Sequence, residues 1–338
     1  MNESSKYPID FVIPWVDGGD LEWIKCKEQY MLDSVQRRSV HGFDYKDWGL
    51  LRYWFRGVEK FCPWVNKVYF VTWGHLPSWL NTNCDKLQII KHEDFIPKEY
   101  LPTFSSHTIE LNFYRIKGLS EHFVYFNDDT YMVSETSADY FFHDGLPCDS
   151  AIVNPIAPRA KDTISHLMLT NISVINENFD KFELTRKYWK KWFNLKYAQL
   201  LPLNFLFLPW RRFPGLLEKH VPTSFLKSTY YEVWEKEYTL LNETCLHRFR
   251  NFKIDVNQWV LKEWQIAKGN FFPRSINTSK FYTVYNDKDA RDVVVGLKSG
   301  KYKMLCINDH IEDERSTAME VIKNTFEQLL PQKSSFER

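Results

Sequence analysis

Short apolar runs that stop at polar residues recur along the chain. Residues 9–13, 68–71, 87–90 and 123–126 are such runs, rich in β-branched and aromatic side chains, and residues 302–307 are similar. They are short and show little alternation of apolar and polar positions, which favours strands that are buried on both faces. The pattern therefore predicts a sheet that runs through the core of the protein.

Helical stretches separate these runs. We predict helices over residues 21 to about 38, about 47–61, 106–119 and 312–330. Strands that alternate with helices are typical of an α/β fold, here a Rossmann-like, mainly parallel sheet flanked by helices, with a largely helical insertion. In such folds ligands bind at the carboxyl ends of the strands. The search for a functional site therefore starts where the apolar runs end.

Two adjacent aspartates follow the run at residues 123–126, in the sequence Asn127-Asp128-Asp129. Adjacent carboxylates repel each other and lose hydration when they are partly buried, so a divalent cation or a basic neighbour usually keeps them ionised. Asn and Asp are also favoured turn residues, and a simple turn explains the same letters. Taken alone, the motif indicates a metal or phosphate site and a turn about equally.

Polar residues also follow the other predicted strands. Asp17 follows the first strand, Thr72 the second, and His92 and Asp94 the third. The carboxyl ends of parallel strands meet at one edge of a sheet, so these side chains are expected to converge with the two aspartates. Independent loops give no reason for such consistent placement. This convergence favours a functional site over a simple turn.

Two predicted helices carry polar side chains for which two interpretations stay open. Arg52 and Arg56 are four residues apart and share a helix face, so they either meet phosphates or face solvent. In the helix at 106–119, His107 and Glu110 lie on the face opposite the apolar one. A polar face is usually just solvated, but this one begins close to the strand ends and could line the site.

Composition excludes some classes of function. The chain has 338 residues, 44% of them hydrophobic, and its 44 Lys+Arg against 43 Asp+Glu leave a charge of +1, which gives no electrostatic case for nucleic-acid binding. There is no apolar signal segment and no apolar stretch of about 18 residues, so we expect a soluble intracellular protein. The 6 cysteines are far apart and form no CxxC pair, which predicts reduced, buried thiols.

Longer motifs resemble one known family. The stretches IDFVIPWVDGGDLEW, RYWFRGVEKFCPWVNKVYFVTWGHLPSWL with LPTFSSHTIELNFYRIKGLSEHFVYFNDD, and CINDHIEDE are similar to the first, second and fourth conserved regions of the Stealth sugar-phosphate transferases. From Pro158, PRAKDTISHLMLTNISVINENFDK resembles the third region. The family includes bacterial capsular polysaccharide phosphotransferases and the catalytic subunit of lysosomal N-acetylglucosamine-1-phosphotransferase. The four regions occur in the family's order and span nearly the whole chain.

The resemblance implies a reaction and a metal. A hexose 1-phosphate would pass from a UDP-sugar to a hydroxyl of a polysaccharide or lipid-linked oligosaccharide acceptor, leaving a phosphodiester and UMP, in capsular or cell-surface polysaccharide synthesis. Mg²⁺ or Mn²⁺ would be held by Asp128, Asp129 and Asp309, because hard cations suit carboxylate and phosphate oxygens. The expected location is the cytoplasm or the inner face of the cell membrane.

The resemblance also implies roles for individual side chains. His166 would be the catalytic base, Asp129 would act in catalysis, and Arg250, with Arg248 as the alternative, would stabilise the transferred phosphoryl group. The residues expected to bind the nucleotide sugar are Trp15, Asp17, Arg52, Thr72, His92, Glu110 and Arg115.

The chain is expected to have three parts. Residues 1–160 would form the nucleotide-sugar-binding α/β part, 161–270 a mainly helical part with the catalytic His and Arg, and 271–338 a return to the α/β core. Residues 181–227 mix aromatic, proline and basic side chains. They could dock on a membrane face or bind the acceptor, and an ordinary packed insertion is the alternative. An oligomer is left open.

Two other functions share part of this pattern. A metal-dependent glycosyltransferase would also gather aspartates around a diphosphate, but it would release UDP in place of UMP. A non-catalytic carbohydrate-binding protein would use the abundant aromatic residues, 13 Trp and 18 Tyr. Such a protein has no need for carboxylates at strand ends, and it would turn over no nucleotide sugar.

Overall fold

The computed structural model describes residues 6–31, 48–311, 313 and 316–338. In chain order its strands and α-helices are β1 (Ile9–Trp15), α1 (Leu21–Gln29), α2 (Leu51–Phe61), β2 (Val68–Thr72), β3 (Leu87–Lys91), α3 (His92–Phe95), α4 (Ser106–Leu111), β4 (His122–Tyr125), β5 (Thr130–Met132), β6 (Phe142–His143), β7 (Leu146–Asp149), α5 (Ile164–Asn178), α6 (Lys181–Lys187), α7 (Trp189–Trp192), α8 (Leu201–Leu206), β8 (Thr223–Leu226), α9 (Lys227–Lys236), α10 (Tyr238–Leu246), α11 (Trp259–Ala267), β9 (Phe272–Pro273), β10 (Ser279–Val284), α12 (Asp287–Lys298), β11 (Met304–Asp309) and α13 (Ala318–Leu329). The five strands predicted from apolar runs are all present, and none of their ends differs from the prediction by more than two residues.

A five-stranded sheet forms the centre of the molecule, in the order β3-β2-β1-β4-β8. β1 lies between β2 and β4 and is parallel to both, and β3 is parallel to β2. The order 3-2-1-4 matches the first four strands of a dinucleotide-binding fold, whose order is 3-2-1-4-5-6. β8 joins the edge antiparallel to β4. The predicted α/β fold with a mainly parallel sheet is confirmed.

The central strands are buried on both faces, and their successive side chains belong to two different cores. Phe11 and Phe70 lie in the core that contains α2, whereas Val12 and Tyr69 lie in the core that contains α11. This alternation is the two-residue period of a strand, and burial on both faces requires the nearly continuous apolar sequence. Because apolar side chains fill both faces, polar side chains gather beyond the strand ends.

A second sheet brings the end of the chain to the first sheet. Its order is β10-β11-β5, and β5 follows β4 directly after the turn at residues 127–129. β11 is antiparallel to β5, with Cys306 opposite Thr130. The backbone N–H of Ile307 donates to the carbonyl oxygen of Asp129 at 2.9 Å. The strand predicted near residue 302 therefore reaches the two aspartates from far along the chain.

The prediction of one helix over residues 106–119 is wrong in its second half. α4 ends at Leu111, and a 3₁₀ turn, Phe113–Arg115, follows it. The side-chain amide of Asn112 donates to the carbonyl oxygen of Thr108 at 2.8 Å. This is the acceptor that a continuing α-helix would use, so the side chain replaces a backbone bond and the helix stops.

The other three predicted helices are present but shorter. α1 ends at Gln29, α2 begins at Leu51 and α13 begins at Ala318. Residues 32–47, into which the first two predicted helices extend, lie outside the described residues.

Residues 181–227 do not form one insertion. Their first part folds into α6, α7 and α8, but β8 belongs to the central sheet. Gln265 covers the open edge of β8, because its side chain accepts from Leu226 N–H at 2.9 Å and donates to the Ser224 carbonyl at 3.1 Å. The insertion prediction is therefore wrong for residues 223–226, and the three-part division of the chain stays a prediction.

Candidate active site

Asn127, Asp128 and Asp129 form a turn between β4 and β5. Thr130 closes the turn, because its backbone N–H and its hydroxyl both donate to the carbonyl oxygen of Asn127, at 3.2 and 2.7 Å. Asp128 is exposed, whereas Asn127 and Asp129 are half-buried. The turn is thus present, and the case for a site depends on what the three side chains contact.

Asp129 has one carboxylate oxygen with partners and one without. Its Oδ2 atom accepts from the Cys306 thiol at 3.2 Å and lies 3.4 Å from His220 Nε2. Its Oδ1 atom is buried and has no hydrogen-bond partner among the described residues. A buried polar atom left unsatisfied costs on the order of 1–3 kcal/mol, and more for a charged group. Oδ1 is therefore well suited to bind a cation.

The ligand atoms of Asp129, His220 and Cys306 all lie within 4.8 Å of one another and form a possible metal-binding group. A carboxylate oxygen suits Mg²⁺ or Mn²⁺, whereas imidazole and thiol ligands suit softer ions such as Zn²⁺. Burial, followed by the charge of Asp129, holds the pKa of Cys306 well above its ordinary value. Cys306 is therefore a protonated thiol that donates to Asp129, and the carboxylate is the better ligand for a hard cation.

His220 lies against the turn. Its Nε2 atom is 2.6 Å from the side-chain nitrogen of Asn127 and 3.4 Å from Asp129 Oδ2. A neutral Nε2 accepts from the amide and a protonated Nε2 donates to the carboxylate, so each protonation state has a partner. Burial lowers the pKa of His220, but the hydrogen bond and charge of Asp129, with the charges of Glu110 and Asp128, raise it overall. These contacts suit an imidazole that takes up a proton.

A buried tyrosine and glutamate lie behind the turn. The hydroxyl of Tyr125, the last residue of β4, lies 3.0 Å from Glu110 Oε1 and is in close contact with Asn127 Oδ1. Burial, followed by the charge of Glu110, holds the pKa of Tyr125 well above its ordinary value, so the hydroxyl stays protonated. Its contact with Oδ1 turns the Asn127 amide nitrogen towards His220. Glu110, on the predicted polar helix face, thus borders the site.

Arg250 and Arg248 have different surroundings. Arg250 Nη2 donates to the Ser106 hydroxyl at 2.8 Å. Burial is the main cause of the raised pKa of Tyr125, and the positive charge of Arg250 opposes it, so the guanidinium lies within electrostatic range of the Tyr125 hydroxyl. Arg248 instead lies over the ring of Tyr30, at 4.6 Å from its centre, and donates to a backbone carbonyl. Of the two candidates, Arg250 is the one beside the turn.

A buried aspartate fixes the loop that carries Arg250. Asp255 accepts from His107 Nδ1 at 3.1 Å, from His247 Nδ1 at 2.7 Å and from the backbone N–H of Asn251 at 2.7 Å. Burial raises the pKa of Asp255, but these hydrogen bonds lower it overall. The bond to Asp255 in turn raises the pKa of His247 against the effect of burial. The network holds the Arg250 loop against the start of α4.

A second cluster lies at the ends of β1 and β2, around His75. The Asp17 backbone N–H donates to His75 Nε2 at 2.8 Å, and the Thr72 hydroxyl donates to the His75 carbonyl at 2.7 Å. The Trp15 ring meets the His75 ring edge-on, with 5.4 Å between centres. Three residues predicted to bind the nucleotide sugar therefore surround a histidine that the sequence analysis did not select.

The histidines of this second cluster are neutral near pH 7. Burial lowers the pKa of His75, although the charges of Asp20 and Asp17 oppose the shift. His92 is buried at the end of β3, and burial, followed by the charge of His75, lowers its pKa to about 4. His92 Nδ1 is buried without a hydrogen-bond partner in the part of the chain that the structure describes.

Three arginines with predicted or open roles lie apart from the turn. Arg52 lies over the Trp79 ring at 5.6 Å, and its Nε atom is buried without a partner among residues 6–31, 48–311, 313 and 316–338. Arg56 is buried and donates to Glu337 at 2.8 Å, so it meets neither phosphate nor solvent and instead anchors the end of the chain. Arg115 is exposed, and its guanidinium lies over neighbouring aromatic rings.

Asp309 and His166 have other partners in the structure. Asp309, the last residue of β11, accepts from the Trp48 indole at 2.7 Å and from the Ile311 backbone N–H at 3.2 Å. His166 lies in the first turn of α5, where its Nδ1 atom accepts from the Thr163 N–H at 3.3 Å in a helix cap. Neither belongs to the possible metal-binding group. Their roles as metal ligand and base stay predictions.

Sequence reasoning missed His220 because it considered only the carboxyl ends of parallel strands. β8 is antiparallel to β4 and places Thr223 beside Tyr125, so the amino end of β8 lies where β4 ends. The available signal was a histidine three residues ahead of the short apolar strand TSFL. A polar residue before an antiparallel edge strand can reach the same site as one after a parallel strand.

Comparisons with known proteins give matches along most of the chain. Three models of Stealth proteins match: conserved region 1 at residues 7–35, conserved region 2 at 44–148 and conserved region 4 at 296–338. A capsular polysaccharide phosphotransferase, WcwK of Streptococcus pneumoniae, is 42% identical over 98% of both chains. An exopolysaccharide phosphotransferase, cps2G of Lactiplantibacillus plantarum, is 39% identical over 100% of this chain and 98% of its own.

Among solved structures, the galactosyltransferase LgtC in complex with donor and acceptor sugar analogs is similar at a TM-score of 0.39. The two sequences are 8% identical, and the match covers 98% of that chain and 96% of this chain. This similarity is too weak to support an inference about function.

Proposed function

Because this chain belongs to the Stealth family, we propose that it transfers a hexose 1-phosphate from a UDP-sugar to a hydroxyl of an acceptor glycan. The products are a phosphodiester and UMP. The names of its relatives, phosphotransferases of capsular polysaccharide and exopolysaccharide, support this reaction class. The observation that carries the proposal is the unsatisfied Asp129 oxygen beside His220 at the strand ends. A diphosphate site needs such an arrangement of charge and base.

His220 is our candidate for the base. The family resemblance implies His166, but the ring of His166 contacts its own helix cap, whereas His220 contacts the carboxylate of Asp129. The raised pKa of His220, with burial opposed by Asp129, gives the imidazole the basicity to accept the acceptor hydroxyl proton. The Asn127 amide holds the ring in place.

Asp129 is the candidate to hold the divalent cation, through its unsatisfied Oδ1 atom. Asp128, and Asp309 with a change of side-chain partner, are the predicted further ligands. Bound Mg²⁺ or Mn²⁺ would neutralise the charge of the diphosphate. His220 remains available as a base when the metal uses carboxylate and phosphate oxygens rather than imidazole and thiol.

Arg250 would bind the transferred phosphoryl group. Its guanidinium is planar and can donate two parallel hydrogen bonds to phosphate oxygens. The Ser106 hydroxyl and the buried Asp255 network position it from either side. Such a preorganised donor stabilises charge as it develops in the transition state.

The cluster around His75 would hold the uncharged part of the donor. Neutral imidazoles, the Thr72 hydroxyl and the Trp15 ring suit a nucleobase and ribose better than a phosphate. Trp15, Asp17, Thr72 and His92 keep their predicted role in this assignment. We place the reaction in the cytoplasm, at the inner face of the cell membrane for a lipid-linked acceptor.

The test is to incubate the protein with a panel of UDP-sugars, with Mg²⁺, Mn²⁺ or a chelator, and to measure UMP and UDP separately. We expect UMP from at least one donor, because water can take the place of the acceptor hydroxyl and leave free hexose 1-phosphate, and we expect the signal to be lost when the metal is chelated. UDP in place of UMP would make the chain a glycosyltransferase and overturn the proposal.

A further inference from the structure

Large apolar side chains are exposed on the helices and connections before β8. No helix among the described residues is long and apolar enough to cross a membrane, yet residues 181–212 leave seven large apolar side chains between 38% and 86% exposed. They are Phe182, Trp189, Leu195, Phe205, Leu206, Leu208 and Trp210. Such a concentration of exposed apolar side chains in one stretch of chain is typical of an interaction surface. We call residues 181–212 the amphipathic segment.

The amphipathic segment is a packed unit rather than a loose loop. The ammonium group of Lys181 donates to the carbonyl oxygens of Phe207, Leu208 and Trp210, at 2.7, 3.1 and 2.7 Å. This ties the start of α6 to the chain after α8. The rings of Phe193 and Phe205, 4.6 Å apart, connect the end of α7 to α8. The exposed groups therefore keep fixed positions relative to one another.

The inner side of the same segment is buried in the protein. Leu184, Trp192 and Tyr197 belong to the second core of the central sheet. The Asn204 side chain is also buried and bonds to the carbonyl oxygens of Ala151 and Trp192. The segment thus has one apolar side that stabilises the fold and a second apolar side that the fold does not need.

Charge is concentrated in the amphipathic segment as well. It contains eight Lys or Arg residues and one Glu, although the whole chain has a net charge of only +1. Lys181, Lys191 and Lys196 donate to backbone carbonyls. The other five cations have no such role and are exposed: Arg186, Lys187, Lys190, Arg211 and Arg212. The rest of the chain is therefore net negative, and the positive charge lies in the same stretch of chain as the exposed aromatic residues.

We propose that the amphipathic segment binds the surface of an anionic lipid bilayer. Exposed Trp, Phe and Leu side chains that enter the headgroup region, together with exposed Lys and Arg that meet anionic headgroups, form the chemistry of an interfacial membrane contact. A lipid surface satisfies both the apolar groups and the charge at once.

The location of the segment connects membrane binding with the active site. Residue 212 is followed within eight residues by His220, and Val153 bridges to Leu216 between them. The protein would thus meet the bilayer through the segment that leads directly to its candidate base. Under the proposed function, this contact would bring the enzyme to a lipid-linked acceptor. Membrane binding itself does not depend on that reaction.

Vesicle sedimentation tests the proposal with the full-length protein. Vesicles of phosphatidylcholine alone are compared with vesicles that also contain phosphatidylglycerol, at low and high salt. We expect the protein to sediment with the anionic vesicles, and to do so less at high salt because screening weakens the charge contacts. The variant Trp189→Ser/Leu206→Ser/Trp210→Ser should need at least about tenfold more lipid for half binding, as should Arg186→Gln/Lys190→Gln/Arg211→Gln/Arg212→Gln.

Control variants change exposed apolar and basic residues elsewhere. Tyr285→Ser/Val295→Ser and Lys288→Gln/Lys298→Gln alter exposed residues in and beside α12 and should leave vesicle binding unchanged. UMP release from a soluble UDP-sugar should be the same in all these variants, so a failure of membrane binding is distinct from a failure of the reaction. No sedimentation of the wild type with anionic vesicles would overturn the proposal. Vesicle binding by the Trp/Leu variant equal to that of the wild type would also overturn it. The same holds if the wild type binds no vesicles but forms a dimer in solution that only this variant abolishes.

Discussion

The turn after β4 and the cluster around His75 lie at ends of neighbouring parallel strands, yet the pKa values of their histidines shift in opposite directions. Burial acts on His220, His75 and His92 alike, but only at the turn do nearby carboxylates outweigh it and raise the pKa. At the second cluster burial prevails and both pKa values fall. This difference indicates a division of work, with proton transfer and phosphate charge at the turn and uncharged recognition at the other cluster.

The largest expected effect is the loss of Asp129. Asp129→Asn removes the negative charge that would hold the cation and that raises the pKa of His220. UMP release should therefore fall by about 10³-fold or more. Steady-state UMP assays at saturating metal measure it. Asp139→Asn, which changes an exposed aspartate in the next connection, should have no effect. Activity of Asp129→Asn within about tenfold of wild type would remove this carboxylate from the reaction.

The two arginines of the loop at 248–250 provide the next test. Arg250→Lys keeps the charge but loses the paired donors, and kcat should fall by about 10²-fold. Arg248→Lys, whose guanidinium packs on Tyr30, should change kcat by no more than about threefold. Equal effects, or a larger effect at Arg248, would contradict the assignment of Arg250 to the phosphoryl group.

A smaller and different effect is expected at the second cluster. His75→Ala removes the acceptor for the Asp17 N–H and the contact with Trp15. KM for the UDP-sugar should rise about tenfold while kcat changes little, because a group that only binds the ground state acts equally on the transition state. His143→Ala, which changes a half-exposed histidine elsewhere, is the control. A fall in kcat with an unchanged KM would show that the two clusters do not divide the work.

The smallest effect concerns stability and its dependence on pH. The pKa of His247 is raised, chiefly by its bond to Asp255, so this bond stabilises the fold below the unfolded value near 6.5 and is lost as pH rises through the folded pKa. The pKa of Asp255 is lowered overall, its hydrogen bonds outweighing burial, so its contribution is present above about pH 4 and is lost as pH falls through the folded pKa. In urea unfolding at pH 5.5 and 8.5, His247→Gln should lower the free energy of unfolding relative to wild type by about 2 kcal/mol at the lower pH and by less at the higher pH. A difference that does not change with pH would contradict the charged pair.

The sequence predicted those parts of the fold that local patterns determine. The runs that became β1 and β2 are buried on both faces, and such burial leaves a nearly continuous apolar signature. The turn at residues 127–129 was found for the same reason, since it follows such a run. Glu110 and Arg250 were also selected; Glu110 contacts Tyr125 behind the turn, and Arg250 contacts Ser106 at the start of α4.

Long-range contacts were not predictable from those patterns. α4 stops at Leu111 because one side chain, Asn112, takes the acceptor of the next turn, and periodicity does not detect such a bond. His220 lies 91 residues after Asp129 in the sequence, and only the antiparallel pairing of β8 with β4 brings them together. Cys306 was expected to be a buried thiol, and it is, but its bond to Asp129 depends on the second sheet.

The choice between His220 and His166 tests the central claim most directly. The measurement is UMP release in a single turnover by His220→Ala and His166→Ala, with folding checked by circular dichroism. We predict that His220→Ala lowers the rate by about 10²- to 10⁴-fold, the usual contribution of a general base, and that His166→Ala stays within about threefold of wild type. A normal rate in His220→Ala, with the loss confined to His166→Ala, would contradict the assignment of the reaction to the turn after β4.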